Sequence, residues 1–253
     1  MNRNPGLRQK TIMPALALLA LLAGSCATID VPANLQSLRT VGIVSAVGDE
    51  FTLTNAGLTG FADSDRHFPI GPWGIDDLIV TRTAARLGTH VQVQPVTYRR
   101  ASFAAHEAHY PIAVMSLLHD DPIKELVRRE VSPQGLNGYV VVTKASSAYG
   151  SRRRTIAGLG IIRTGAVLGS YAELYALYEI RVIDGREFKV IDKRSAMPLN
   201  SGQTVRLAGP SRAVDPSLLP SANEPELKDQ LKAALTDLVE TSLAATLQEF
   251  RLD

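Results

Sequence analysis

Eleven residues in the second half of the chain alternate in character. Ala172, Leu174, Ala176, Tyr178, Ile180 and Val182 fall on one side, and Glu173, Tyr175, Glu179 and Arg181 on the other. A repeat of two is the signature of an extended strand with one buried face. It excludes a helix there, whose apolar positions recur every three or four residues. Asp184-Gly185 then supplies hairpin turn chemistry, and Glu187 to Asp192 returns as the partner strand. An antiparallel pair is therefore predicted, with Leu174, Tyr178 and Ile180 in the core. Its outward face carries Tyr171, Tyr175 and Glu179, a surface suited to a protein partner.

The rest of the chain mixes both periodicities. Thr40 to Ser45 and Gly138 to Thr143 are short β-branched runs that read as buried strands, and Phe51 and Leu53 alternate with threonines after Gly48-Asp49. Residues Leu58 to Phe61 and His67 to Ile70 suggest a further hairpin. Asp76 and Asp77 open a helix that Gly88 closes, and Val91 to Val96 follows as a strand. Trp73, between glycine-flanked turns, is expected at the edge of the core. Ser102 to His109 reads as helix, and Asp121-Pro122 starts another through Arg129. Ser146 to Ser170 reads as a basic, glycine-rich connection, and 199–223 as a long surface loop. Leu227, Leu231, Leu235 and Leu238 line a C-terminal helix predicted over Glu224 to Phe250. The fold class is α+β: a mixed, largely antiparallel sheet covered by helices, with a long C-terminal helix.

The beginning of the chain has a different character. Arg3, Arg8 and Lys10 precede an apolar run from Ile12 to Ala23, about a dozen residues against the ~20 that span a bilayer. That is the plan of a secretory signal. Leu22-Ala23-Gly24-Ser25-Cys26 resembles the lipobox of bacterial lipoproteins, although Ala23 stands where leucine is usual. The resemblance implies cleavage before Cys26 and lipidation of that residue, the only cysteine in the chain. Several acyl chains on one residue anchor stably, where a single one does not. Ala27 in the second mature position implies outer-membrane sorting, with the protein on the periplasmic side.

Residues 1–25 are thus expected to be a signal peptide, 26–38 a lipidated tether, and 39–253 a single periplasmic domain. The stretch Thr28 to Ser37 reaches at most ~35 Å when extended. The signal carries three of the 27 basic residues and none of the 25 acidic ones, so 24 face 25 in the mature chain. That balance gives no global attraction to nucleic acid.

Taken in order, helix, strand, helix, strand, hairpin and helix resemble the periplasmic α/β domain shared by the curli-secretion lipoprotein CsgG, the penicillin-binding-protein activator LpoB and the TolB N-terminal domain. The segments concerned are Val41 to Ser45, Ile75 to Leu87, Val91 to Val96, Ile123 to Arg129, Tyr139 to Thr143, Leu174 to Asp192 and the C-terminal helix. The likeness implies a lipid-tethered domain that docks envelope proteins. Residues 48–70 have no counterpart in that pattern. Curli-type pores need two lipid-facing strands of ~10 residues, and Ala157 to Ser170 offers one.

Few residues point to chemistry, and no cofactor is expected. His106 and His109, three apart on the predicted helix, share a face and have His119 nearby; they are weak metal-ligand candidates. A metal-dependent binder or enzyme using His106 to Asp121 is the alternative to a non-enzymatic binding module. Gly48-Asp49-Glu50-Phe51 resembles the opening block of SGNH hydrolases. Glu50 stands where that chemistry requires a hydroxyl, and no Asp-x-x-His follows near the C-terminus. Arg152, Arg153 and Arg154 form a basic patch suited to solvent or to anionic headgroups.

Overall fold

The computed structural model describes residues 38–56, 64–109, 121–149, 154–166, 169–199, 207–221, 224 and 226–250. The β-branched run after Leu38 becomes strand β1 (Thr40–Ala46), flanked in parallel by β6 (Gly138–Tyr149) and β4 (Gln92–Gln94). On the other side of β6 lies β10 (Tyr178–Asp184), antiparallel to it, followed by β11 (Val190–Ser195), antiparallel to β10. This sheet A has the order β11-β10-β6-β1-β4, and β5 (Glu107–His109) and β7 (Arg154–Ala157) pair with the distal half of β6.

Sheet B has the order β12 (Ser211–Val214), β9 (Gly169–Ala176), β8 (Leu159–Ala166), β2 (Glu50–Ala56) and β3 (Ser64–Pro69). Six of the strand pairings are antiparallel and four parallel, so the α+β class and the antiparallel bias hold, distributed over two sheets.

The alternating segment is not one strand. At Leu177 the chain leaves sheet B and enters sheet A, keeping its phase: Leu174, Ala176, Tyr178 and Ile180 all point into the same core. Three backbone bonds hold the crossing. Ala145 N–H donates to the Leu177 carbonyl at 3.0 Å, Leu177 to Gly158 at 2.7 Å, and Gly158 to Ala145 at 3.0 Å. Gly158 has φ +62°, a conformation that favours glycine. The glycine-rich connection expected over 146–170 is therefore strand on both sides of that turn. Gly160 serves close approach: a Cβ there would overlap the Tyr175 hydroxyl and the Thr52 carbonyl.

Four helices complete the described structure: α1 (Ile75–Leu87), α2 (Arg100–Ala104), α3 (Ile123–Glu130) and α4 (Asp229–Gln248). Asp76, predicted to favour the α1 dipole, also braces the turn between the sheets. Its Oδ1 accepts from Ser45 Oγ at 2.7 Å, Val47 N at 2.8 Å and Gly48 N at 3.2 Å. The leucine stripe of α4 is buried through Leu231, Leu235 and Leu238, continued by Leu243 and Leu247, but the helix starts at Asp229 rather than Glu224, so Leu227 precedes it and is half-buried. These leucines join Ile75 and Ile79 of α1 and the inner faces of both sheets in the main core. Trp73 packs at that core's edge, 6.0 Å from the Phe51 ring.

The other face of sheet A is covered by Phe103 of α2 and Ile123 and Val127 of α3. Two expectations fail here. Ser102 to His109 is not a helix, because α2 ends at Ala104 and Glu107–His109 pairs with β6. Part of the loop expected over 199–223 is ordered as β12 and the 3-10 turn Pro216–Leu218.

Candidate functional site

The second, supposedly outward row of β10 is buried. Glu179 is 6% exposed and Arg181 2%, in a strand whose other row is fully apolar. An arginine is almost never fully buried unless its charge is matched. Here the Arg181 Nε binds Asp121 Oδ2 at 2.8 Å, Nη1 donates to Thr143 Oγ1 at 2.8 Å, and Nη2 lies 2.6 Å from Glu179 Oε1. Register explains the set. Glu179 pairs with Thr143 and Arg181 with Val141 across β10 and β6, so all share one face, and Asp121 reaches it from the residues entering α3. His106, just beyond α2, places Nε2 3.8 Å from Asp121 Oδ1. Lys193 of β11 is 4.0 Å from Glu179 Oε1.

Electrostatics follows from the enclosure. Burial raises the pKa of Glu179, against the pull of Arg181 and Lys193, and its Oε1 accepts no aligned hydrogen bond among the described residues. Burial also works to raise Asp121, but the Arg181 charge and hydrogen bond prevail, aided by the Ile123 N–H, and its pKa is lowered. For His106, burial and then the Arg181 charge hold the pKa at about 4 against the attraction of Asp121. The guanidinium stands where a cation shared by these carboxylates would sit. The cluster therefore works chemically as an internal ion-pair network that fixes Asp121, at the entry to α3, to sheet A.

The sequence-selected residues are accordingly redistributed. Tyr175 and Glu179 are not on an open partner face. Tyr175 is 0% exposed beneath Tyr149, Ile156, Ile162 and Leu207, and half-buried Tyr171 donates to the carboxylate of buried Glu173. Strand alternation yields a solvent face only when nothing covers the second side, and here other chain segments cover both.

His106 and His109 do not share a helix face, since one follows α2 and the other lies in β5. The side chain of His109 and all of His119 lie outside the described residues. Among the described residues no three His, Cys, Asp or Glu side chains are grouped to hold a metal ion. Arg154 is drawn to Asp65 of β3, while Arg152 and Arg153 lie outside the described residues, as does Cys26.

No protein-family model matches the chain, and no curated protein sequence matches it. Solved structures resemble it loosely. Protein XCC0632 from Xanthomonas campestris, of family model DUF330, is 9% identical with a TM-score of 0.37, covering 85% of this chain and 84% of that one. Lipoprotein GNA1162 from Neisseria meningitidis is 13% identical with a TM-score of 0.27, over 82% of this chain and 99% of that one. The hypothetical protein CT253 from Chlamydia trachomatis is 10% identical with a TM-score of 0.26, over 83% and 99%.

The signal that would have marked the network is a pair of opposite charges two apart on a strand whose other row is wholly apolar. Its partners were not readable, because Asp121 and Thr143 are 60 and 38 residues away from Arg181.

The network has a pH signature. In the unfolded chain His106 binds a proton near pH 6.5, whereas in the native protein it stays neutral down to about pH 4. Between those values the unfolded state holds more protons, so stability is present above pH 6.5 and is lost as pH falls toward 4. The loss is roughly 3 kcal/mol, on 1.36 kcal/mol per pH unit. Urea denaturation at pH 7 and pH 4.5 should show it, and His106→Gln should flatten that interval. An unchanged slope in the variant would remove His106 as its source.

Proposed function

We propose that this chain is a lipid-anchored protein of the bacterial cell envelope, held on the periplasmic face of the outer membrane, that acts as a non-enzymatic binding and assembly module for envelope proteins. The observation that carries the reading is Cys26, the sole cysteine, placed directly after a basic start, a short apolar run and small residues. The domain supports it in a second way. Three of its buried polar side chains are turned toward internal partners: Asp76 toward Ser45 and the sheet-crossing turn, Glu173 toward Ser211, and Arg181 toward Asp121 and Thr143. Such groups hold elements in register and leave recognition to helix faces and sheet edges. The element order that resembles the CsgG, LpoB and TolB domains agrees with a docking role.

The test is fractionation and acyl labelling in the native bacterium. Wild-type protein should take up labelled palmitate and sediment with outer membranes. Cys26→Ser should lose the label and either appear in the soluble periplasmic fraction or persist as uncleaved precursor. Normal labelling of the variant would sink the reading. Cross-linking of the lipidated protein in intact cells should then capture an envelope protein in stoichiometric yield, and Cys26→Ser should reduce that capture.

A further inference from the structure

The end of sheet A at which β1 begins gathers cations that the ion-pair networks do not use. Arg39 immediately precedes β1, and its carbonyl accepts from Gln92 N at 2.8 Å. Helix α1 runs back from the opposite end, where Asp76 meets the Gly48 turn, and brings Arg86 down beside Gly88 and the start of β4. The β10–β11 turn arrives at the same level, since Gly185 N donates to the Asn137 carbonyl and Asn137 Oδ1 receives Thr40 N. That turn carries Arg186 and Lys189.

All four cations are exposed, and none has a side-chain hydrogen bond or ion pair among the described residues. Their acidic neighbours are Glu187 and Asp184, and Asp184 Oδ1 is engaged by the N–H groups of residues 186 and 187. The end is therefore net positive in a mature chain that is nearly neutral.

We infer that this end is a membrane-contact surface for anionic phospholipid headgroups, with Arg39, Arg86, Arg186 and Lys189 as its contacts. The inference rests on the lipid-anchor reading of Cys26. Geometry supplies the direction. Eleven residues separate Cys26 from Leu38, where the described domain starts beneath β1. A chain of that length reaches at most about 40 Å. Strand β6, with twelve residues, rises about 40 Å from this end to Tyr149.

The β1 end thus lies within reach of the anchor, and the Arg154 end lies about 40 Å further along β6. The basic patch that sequence suggests for headgroup contact, Arg152 to Arg154, follows β6 at its distal end, whereas the cations that meet lipid come from the residue before β1, the last turn of α1 and the β10–β11 turn. Each cation near an anionic surface strengthens attraction on the order of fivefold, and screening removes most of it once the Debye length falls to about 3 Å in 1 M salt.

Amine acetylation of the lipidated protein, inserted through its own acyl chains into vesicles, reads the contact directly. Lys189 is the reporter, and Lys232 on α4, which packs over β9 of sheet B, is the reference. On vesicles containing phosphatidylglycerol, Lys189 should label at least about threefold more slowly, relative to Lys232, than on phosphatidylcholine alone. The difference should vanish in 1 M salt and in the exposed-site variant Arg39→Gln/Arg86→Gln/Arg186→Gln. Equal labelling of Lys189 on both vesicles, with the protein still co-floating, would overturn the surface and leave the anchor standing. Slowing confined to Lys232 would do the same. Protein that floats with neither vesicle would overturn the anchor reading, and this inference with it.

Discussion

Arg181→Leu is expected to lower unfolding stability by roughly 3–5 kcal/mol, the range for removing one partner of a buried ion pair. The guanidinium is 2% exposed and satisfies Asp121, Thr143 and Glu179 together. Its loss strands Glu179, whose pKa burial already raises, with Lys193 at 4.0 Å as its remaining described cation. The loss is a large share of the 5–15 kcal/mol that holds a typical domain folded.

Replacing both buried charges, in Arg181→Leu/Glu179→Leu, should recover much of the loss, because two apolar groups need no partner. Urea denaturation at pH 7 of the three proteins is the measurement. A single variant as stable as wild type would mean that water reaches Arg181 and that the network does not fix the entry to α3. A double variant worse than the single one would show that Glu179 contributes through contacts other than Arg181.

The second large effect is at Tyr175. Tyr175→Ala should cost roughly 3–5 kcal/mol, like other large aromatic truncations, and so rival Ile180→Ala at roughly 2–5 kcal/mol. Both side chains are 0% exposed, on opposite rows of the same chain segment. Tyr175→Phe separates packing from hydrogen bonding. The phenol oxygen is buried near the Thr54 hydroxyl, which is given to Asp65 and makes no hydrogen bond of normal geometry with it, and burial pushes its pKa up. Removing an unsatisfied hydroxyl is neutral or stabilising, by about 1 kcal/mol. Phenylalanine should therefore match or exceed wild type while alanine falls far below it. A near-neutral alanine variant would mean that the outer side of sheet B is open, restoring Tyr175 to a docking surface. A phenylalanine variant as damaged as alanine would mean that the hydroxyl is bonded.

The strands, the α4 stripe and the hairpin at Asp184-Gly185 were legible because each is set by a local rule. β-branched runs extend, a 3.6-residue repeat coils, and Asp-Gly turns. The alternation from Ala172 to Val182 also placed Leu174, Tyr178 and Ile180 in the core, because a crossing at Leu177 that keeps the phase leaves the pattern unchanged. Identical local chemistry can still serve two sheets. Only tertiary structure decided that the described residues of 146–170 are mostly strand, since Gly160 serves a close approach to Tyr175 that composition does not distinguish from loop freedom.

The burial of Glu179 and Arg181 was likewise a tertiary outcome. A charged row on a strand looks solvent-facing until a partner from far along the chain neutralises it, and Asp121 is 60 residues away from Arg181. His106 and His109 parted for the same reason. Pairing of Glu107–His109 with β6 outweighs the weak helix preference of the stretch, and that pairing exists only after β6 is in place. The proposed signal and the proposed lipidation of Cys26, by contrast, rest on the sequence alone, because a basic start, a short apolar run and small residues before a cysteine are local features of the sequence.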